Sequence, residues 1–420
     1  MLLLQTVWAT AMDWPQWRGP NRDGRSGDTV PATKWPAEGP KLVWSVTDPK
    51  LIGTGYGSPS VVGDKLFILG ATTAKQDATE FVTCLNLKTG QKIWQTELKT
   101  TSGKYNDGWG GGPRSTPTVD KDRLYVLGAT GDLVCLTTDK GKLEWSKNLV
   151  KDFGGSIPTW GYSESVLVDG DNVICTPGNK TGMIALDKKT GKTVWECKEF
   201  NDGAGYSSIV IADVGGVKQY VQQTMNSALG VRAKDGKLLW KVSGGIGRRV
   251  AVIPSPVVSK DNYVFFTAGY GAGCECIKLE KDGEGTKATT VYDKNKVVAN
   301  HHGGVLLDGD FIFGHSDSSG WVCFDMKKGG DDAVWKDKGV GKGSVSYASG
   351  LLYCYSESDG TLARVKATDK GYEQLDKFKI PQTSKLRPNQ GKVWAHPVIA
   401  NGKLILRDYE LLFVYDLGGK

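Results

Sequence analysis

The sequence predicts an all-β chain forming a single eight-bladed β-propeller of four-stranded antiparallel blades, with the N-terminal strand closing the last blade. Three observations predict it. Tryptophans recur at Trp44, Trp94, Trp145, Trp195 and Trp240, spaced by 50, 51, 50 and 45 residues, and Trp335 follows 95 residues on. Tyr292 stands near the midpoint of that gap and Phe378 supplies a further counterpart, so these eight aromatics mark the blade boundaries. A glycine turn precedes four of the tryptophans: Lys-Thr-Gly-Gln-Lys at 88–92, Asp-Lys-Gly-Lys at 139–142, Lys-Thr-Gly-Lys at 189–192 and Lys-Asp-Gly-Lys at 234–237. Eight similar stretches open the units, at 55–63, 112–120, 161–170, 205–213, 252–260, 300–309, 342–350 and 394–402. Self-similarity at a period of about 50 residues is the signature of a repeat architecture.

Each unit reads as four strands. In the second, Ser115–Val119 and Arg123–Leu127 precede a turn at Ala129–Asp132, then Leu133–Thr137 and Lys142–Trp145. Period-two alternation between glycine turns argues for antiparallel hairpins. One such sheet has two apolar faces and two bare edges, and radial stacking buries the faces while shortening the edges. The eighth unit ends at Leu411–Leu417 without a fourth strand, and Lys41–Trp44 carries the missing pattern. The propeller therefore spans 14–420, and 1–13 reads either as the remnant of a secretory signal or as a disordered arm. Trp14–Thr29, the glycine-rich Lys99–Gly112 and the charged Glu280–Thr290 read as insertions, the last as a surface loop.

Composition narrows the function classes. The 56 glycines follow no collagen period and no 18-residue apolar run exists, so neither a fibre nor a transmembrane segment is expected. Net charge is +7, but the lysines are spread over turns rather than clustered with aromatics, which argues against nucleic acid. Four histidines are too few for a histidine-rich metal site, and no nucleophile elbow, zinc-protease or phosphate-loop motif is present. Four of the eight cysteines, Cys84, Cys135, Cys276 and Cys323, share one place in the repeat, which puts them in separate blade cores as small hydrophobes rather than in disulfides.

The runs Val82–Trp94 and Met183–Trp195 follow the pattern V-x-C/A-L-D-x-K-T-G-K-x-x-W, apart from Asn86 and Gln91 in the first and Met183 in the second. They resemble the PQQ-like β-propeller repeat of quinoprotein dehydrogenases and of the outer-membrane assembly lipoprotein BamB. The opening Asp13–Gly24, DWPQWRGPNRDG, is similar to the mature start of secreted PQQ-like propellers common in planctomycete-type bacteria. The resemblance implies export, to the periplasm or beyond the cell. For a dehydrogenase it also implies PQQ with calcium held by Glu, Asn and Asp, a catalytic Asp, a stacking Trp and an adjacent Cys-Cys pair. No Cys-Cys dipeptide occurs here, and no positions match the metal-ligand or catalytic-Asp motifs, so PQQ with calcium is disfavoured and no other cofactor or metal site is expected. A BamB-type assembly partner implies a lipidation cysteine near the mature start, and the first cysteine is Cys84.

Aligning the unit starts gives one position per blade for the axis: Tyr56, Arg114, Ser163, Tyr206, Ile253, His302, Lys342 and Trp394. If that position faces inward, the mouth is aromatic and cationic. Ligand contacts then fall to Tyr56, Arg114, Tyr206, His302, Lys342 and Trp394, a set suited to a small polar or acidic ligand. A one-residue slip would turn every member away. His302 and Glu164 are the candidates for an acid–base pair, with His301 and His396 nearby. Adjacent histidines on an extended strand point to opposite faces, so His301 and His302 are not expected to share an ion. Trp14, Trp17, Arg18, Asp107 and Trp109 read as covering one face, the tryptophans as caps on blade edges. The expected function is a binding or scaffold module, taking a small ligand or a protein partner on a propeller face, without a PQQ and calcium site. The alternative is a quinoprotein-type oxidoreductase acting on alcohols or sugars through a divergent central site.

Overall fold

The computed structural model describes residues 12–101, 103–244, 246 and 250–418, so the N-terminal signal or arm expected at 1–13 lies almost wholly outside the described residues. Eight separate four-stranded antiparallel sheets form the blades. Blade 1 runs through Ser60–Val62, Lys65–Ala71, Glu80–Asn86 and Lys92–Glu97. Blades 2 to 7 begin at Thr118, Leu167, Val210, Val257, Val305 and Gly343. Blade 8 takes Val398–Ala400, Lys403–Asp408 and Leu411–Asp416, and its fourth strand is Leu42–Val46 from the other end of the chain. That strand pairs antiparallel with Leu411–Asp416, Trp44 opposite Val414. First strands of neighbouring blades touch one another, which places them at the axis.

The cores lie between blades. One apolar cluster joins Phe67, Val82 and Cys84 of blade 1 to Leu124, Val126 and Leu136 of blade 2, and seven further clusters continue the ring. The repeating aromatic is the hinge of each interface. The Trp94 indole N–H donates to the Thr138 carbonyl of the next blade at 3.2 Å, and Trp44, Trp145, Trp195 and Trp335 reach the Leu87, Lys188, Ala233 and Thr368 carbonyls at 2.8, 3.0, 3.1 and 2.7 Å. Tyr292 does the same through its hydroxyl to Met326, at 2.8 Å. Except at Trp335, the ring lies against the glycine of the receiving turn. A Cβ at Gly90, Gly141, Gly191, Gly236 or Gly329 would fall 2.5–2.9 Å from the docked ring, and Gly39 stands to Phe378 in the same way. All six have positive φ as well. The turn thus needs glycine for its backbone and again for the space.

Trp240 departs from this pattern: its N–H donates to Gln219 Oε1 of its own blade, at 2.6 Å. Blade 5 has replaced the short turn by a long hairpin, Gly273–Asp282 with Gly285–Asn295. This corrects the surface loop expected at Glu280–Thr290. Charged residues there are exposed, while Leu279 and Thr286 turn in against blade 4, Thr286 Oγ1 donating to Gln219 Oε1 at 3.2 Å. All eight cysteines are buried and free. Cys84, Cys135, Cys276 and Cys323 stand directly opposite Trp94, Trp145, Tyr292 and Trp335 on the paired strand, where a small side chain leaves room for the ring.

Gly141→Ala is expected to cost about 2–3 kcal/mol, combining positive-φ strain with a clash against Trp94. Gly63→Ala, at φ 56° with nothing near its missing Cβ, should cost only the backbone share, about 1 kcal/mol. Chemical-denaturation midpoints of the two variants check this, and equal losses would remove the docking argument.

Candidate functional site at the propeller axis

Alternation along the first strand of each blade sorts its residues into layers down the axis. The upper layer is the ring read from the sequence. Tyr56, Arg114, Ser163, Tyr206, Ile253, His302, Lys342 and Trp394 all line one cavity of about 400 Å³. Two residues further on, a layer of small hydroxyl side chains stitches neighbouring blades. Ser58 Oγ accepts from the His396 amide at 2.9 Å, Ser165 Oγ from the Thr116 amide at 2.8 Å and Ser208 Oγ from the Ser165 amide at 2.9 Å. At the axis the strands of different blades splay too far to pair by a ladder, and these hydroxyls satisfy their amides instead.

The N-terminal segment crosses the channel beneath, leaving a separate cavity of about 670 Å³ between itself and blades 4 to 6. The Trp17 N–H donates to Ser255 Oγ at 3.1 Å, and its ring lies 4.6 Å from that of His396, so Trp17 floors the cavity. Arg18 donates to the Val305 carbonyl, Arg22 to those of Ser165 and Val166, and Arg25 to that of Leu307. Trp14 is buried in the core between blades 8 and 1, its backbone bridged to Val61. Trp14–Thr29 is therefore an axial plug: Trp14 does pack at a blade edge, whereas Trp17 enters the channel. Trp109 also leaves the blade edges. It is 41 % exposed and, with Tyr270 at 59 %, forms the rim of the open end. Asp107 lies off the cavity, where it accepts from the Gln76 amide at 3.2 Å.

Polar chemistry concentrates on blades 6 and 7. The Lys342 ammonium lies 2.7 Å from Asp317 Oδ1 and 3.0 Å from His301 Nδ1. Glu357 Oε2 accepts from the Trp394 indole at 3.2 Å and lies 3.8 Å from His302 Nδ1. The His302 ring stacks on Trp394 at 4.3 Å and 21°, and the His301 and His302 rings lie 3.6 Å apart. The opposite-face expectation for these histidines fails because the chain bends at 302–303, ahead of the strand Val305–Asp308. His396 Nε2 donates to the His302 carbonyl at 2.9 Å. Burial, reinforced by Lys342, lowers His301 to about 4. Burial, reinforced by Arg18, lowers His396 to about 3, and His302 falls well below its ordinary value, chiefly through burial. Burial raises the Glu357 carboxyl. At neutral pH the wall is thus neutral imidazole beside a Lys–Asp pair.

Glu164 is separated from this group. One position along from the ring, it turns into the blade interface, accepts from the Thr176 amide at 2.9 Å, and is raised by burial to about 8. The carboxylate beside His302 is Glu357 instead. Glu357 and Asp317 were missed from sequence, although both sit in a repeated motif, Ser-Asp-Ser-Ser-Gly at 316–320 and Ser-Glu-Ser-Asp-Gly at 356–360. Trp160, Tyr270, Gln390 and Lys392, from connecting loops, also line the cavity. Among the described residues no group of three or more His, Cys, Asp or Glu is arranged to hold a metal ion. No helix among them is long and apolar enough to cross a membrane.

Two pH effects of opposite sign follow. Lowered histidine values add stability that is complete above pH 6.5 and is lost as pH falls toward 3, at about 1.4 kcal/mol per pH unit for each group still excluding its proton. His396→Asn should flatten the acid side of the stability curve. Glu164 has the reverse sign, its contribution full below pH 4.5 and lost as pH rises through 8, so Glu164→Gln should flatten the alkaline side. Denaturation midpoints from pH 4 to 9 check both.

Comparison with known proteins places these features. The family model described as outer membrane protein assembly factor BamB matches residues 78–336. The BamB of Moranella endobia (strain PCIT) is 26 % identical over 192 residues, covering 43 % of this chain and 44 % of that protein, so the match spans less than half the length of this curated relative. Among solved structures, BamB from Moraxella catarrhalis superposes with a TM-score of 0.60 at 14 % identity, covering 89 % of this chain and 97 % of that one. The quinohemoprotein alcohol dehydrogenase of Comamonas testosteroni gives 0.55 at 12 % identity, covering 97 % and 81 %. At these identities the structural likeness shows the fold alone.

Proposed function

Since the chain belongs to the family of outer membrane protein assembly factor BamB, we propose that it is a periplasmic or secreted binding module whose axial cavity holds a small polar or acidic ligand. One observation carries the reading: an alignment position common to all eight blades converges on a single cavity, where aromatic and cationic side chains stand together. Seven of its twenty lining residues are tryptophan or tyrosine, and Arg114, Lys342 and Lys392 supply positive charge. A concave, largely aromatic site with a few convergent polar groups is the usual form of a small-molecule pocket. The plug supports the same reading, because a channel floored by Trp17 is a blind pocket rather than a conduit.

Support for a reading without PQQ and calcium comes from the donor set. Calcium takes six to eight oxygens. The cavity offers two carboxylates, and Asp317 already faces the Lys342 ammonium at 2.7 Å while Glu357 accepts from Trp394. The residues present do not fit the group. The donor set therefore speaks against the oxidoreductase alternative, whose relatives' chemistry would call for such an ion at this place.

A thermal-shift panel of sugars, acidic amino acids, nucleosides and aromatic acids is expected to yield at least one stabilising compound whose effect disappears in Trp394→Ala. No shift across the panel would overturn the reading. Incubation with PQQ and calcium should leave no quinone absorbance on the gel-filtered protein and no dye reduction with alcohols or sugars. Uptake would restore the oxidoreductase.

A further inference from the structure

Polar atoms left without partners in the axial cavity identify what the ligand must offer. Trp160 Nε1, His301 Nε2 and His302 Nδ1 are buried and have no hydrogen-bond partner. The first is an N–H donor. His301 Nε2 is another, because Nδ1 of that neutral ring accepts from Lys342. Glu357 supplies acceptor oxygens. Trp160, ahead of blade 3, faces His301 and Glu357, on blades 6 and 7, across the cavity. Donors and acceptors placed around one ligand call for a group that does both, and among small neutral groups that is the hydroxyl.

The aromatic faces restrict the ligand's shape. Tyr56 and Trp394 are inclined at 52°, Trp109 and Trp394 at 37°, and Trp160 and Tyr206 at 50°. The one near-parallel pair, His302 on Trp394, is already in contact with itself. None of these contacting pairs encloses a slot in which a flat heteroaromatic ring would be held between parallel planes, its preferred arrangement. A saccharide ring needs only one aromatic face at a time, against its C–H side, and projects hydroxyls from its rim. Charge narrows the class further. Asp317 neutralises Lys342, but Arg114 has no carboxylate partner among its contacts. It donates to the Gly112 and Gly110 carbonyls at 3.1 and 2.8 Å, leaving three of its five N–H groups for a ligand. Its guanidinium lies 5.4 Å from the centre of the Tyr56 ring, which holds the fork toward the cavity.

We propose that the axial cavity takes an acidic saccharide, a pyranose ring bearing a carboxylate, with hydroxyls on Trp160 at one side and on His301 and Glu357 at the other, and its carboxylate on Arg114. This rests on the reading of the cavity as a small-ligand site and specifies its ligand. A cavity of about 400 Å³ suits one or two such rings, being near the lower end of the roughly 300–1,000 Å³ range of ligand pockets.

Calorimetric titration with D-glucuronate, D-galacturonate and their disaccharides, set against D-glucose and benzoate, tests it. A uronate or its disaccharide should bind at least tenfold more tightly than glucose, and glucose more tightly than benzoate. Arg114→Gln should erase the preference for uronate while leaving glucose affinity within about twofold, and Arg114→Lys should restore part of the preference. Trp160→Phe should weaken every saccharide without changing benzoate. Equal binding of glucose and uronate would overturn the carboxylate assignment, and benzoate binding best would overturn the saccharide. No binding by any of these probes, with a thermal-shift hit of another class lost in Trp394→Ala, would overturn this inference and leave the cavity's role as a ligand site standing. Denaturation midpoints establish that each variant is folded.

Discussion

Six of the eight blade junctions are held by an aromatic ring laid over a glycine that has no room for a side chain. The ring spends its polar edge on a carbonyl of the receiving turn, as Trp44, Trp94, Trp145, Trp195 and Trp335 all do, and Tyr292 keeps the bond with a hydroxyl in place of an indole. Burying a large aromatic is worth about 2–3 kcal/mol, and the added hydrogen bond fixes where it may sit. Because each such contact runs from one blade to its successor, it also sets the order of the ring. The last link needs a turn after blade 7, and the chain supplies it from its beginning, Gly39 beneath Phe378, just before Leu42–Val46 completes blade 8. Closure and docking are the same device.

A ring made this way leaves a problem at its centre. Eight inner strands converge there without pairing, and their backbone groups cannot all reach water. Two solutions are stacked along the axis. Short hydroxyl side chains, Ser58, Ser165 and Ser208 among them, link adjacent strands. Below them Arg18, Arg22 and Arg25 reach out from the plug to carbonyls of blades 3 and 6. Above the plug the space stays open, and there the side chains are large and chemically varied. The cavity is thus a consequence of where the plug stops. The same crowding explains the electrostatics: histidines pushed toward neutrality by burial on one wall, and a lysine that keeps a carboxylate beside it.

Much of this was legible beforehand. The period of the aromatics and the turn chemistry specify an eight-bladed ring, and the alternation of a strand, once its register is known, specifies which residue faces the axis. All eight positions chosen by alignment line the cavity for that reason. The failures share a cause. Glu164 was paired with His302 because both lie near the inner strand, yet one step along a strand reverses the direction of a side chain. Trp17 was read as an edge cap because nothing in an irregular segment declares its path. Glu357 and Asp317 were passed over because they sit between the second and third strands, far from the axis in sequence and near it in space.

The sequence by itself determined the repeat, the number of blades, the velcro closure and the ring of residues at the mouth, since each of these depends on local period and on spacing that recurs. Only the tertiary structure decided that Trp14–Thr29 plugs the channel, that Glu357 rather than Glu164 stands beside His302, and that His301 and His302 share one wall. Those facts depend on segments that obey no period, and on contacts between residues dozens to hundreds of positions apart, where geometry is set by how the ring closes rather than by neighbours in the chain.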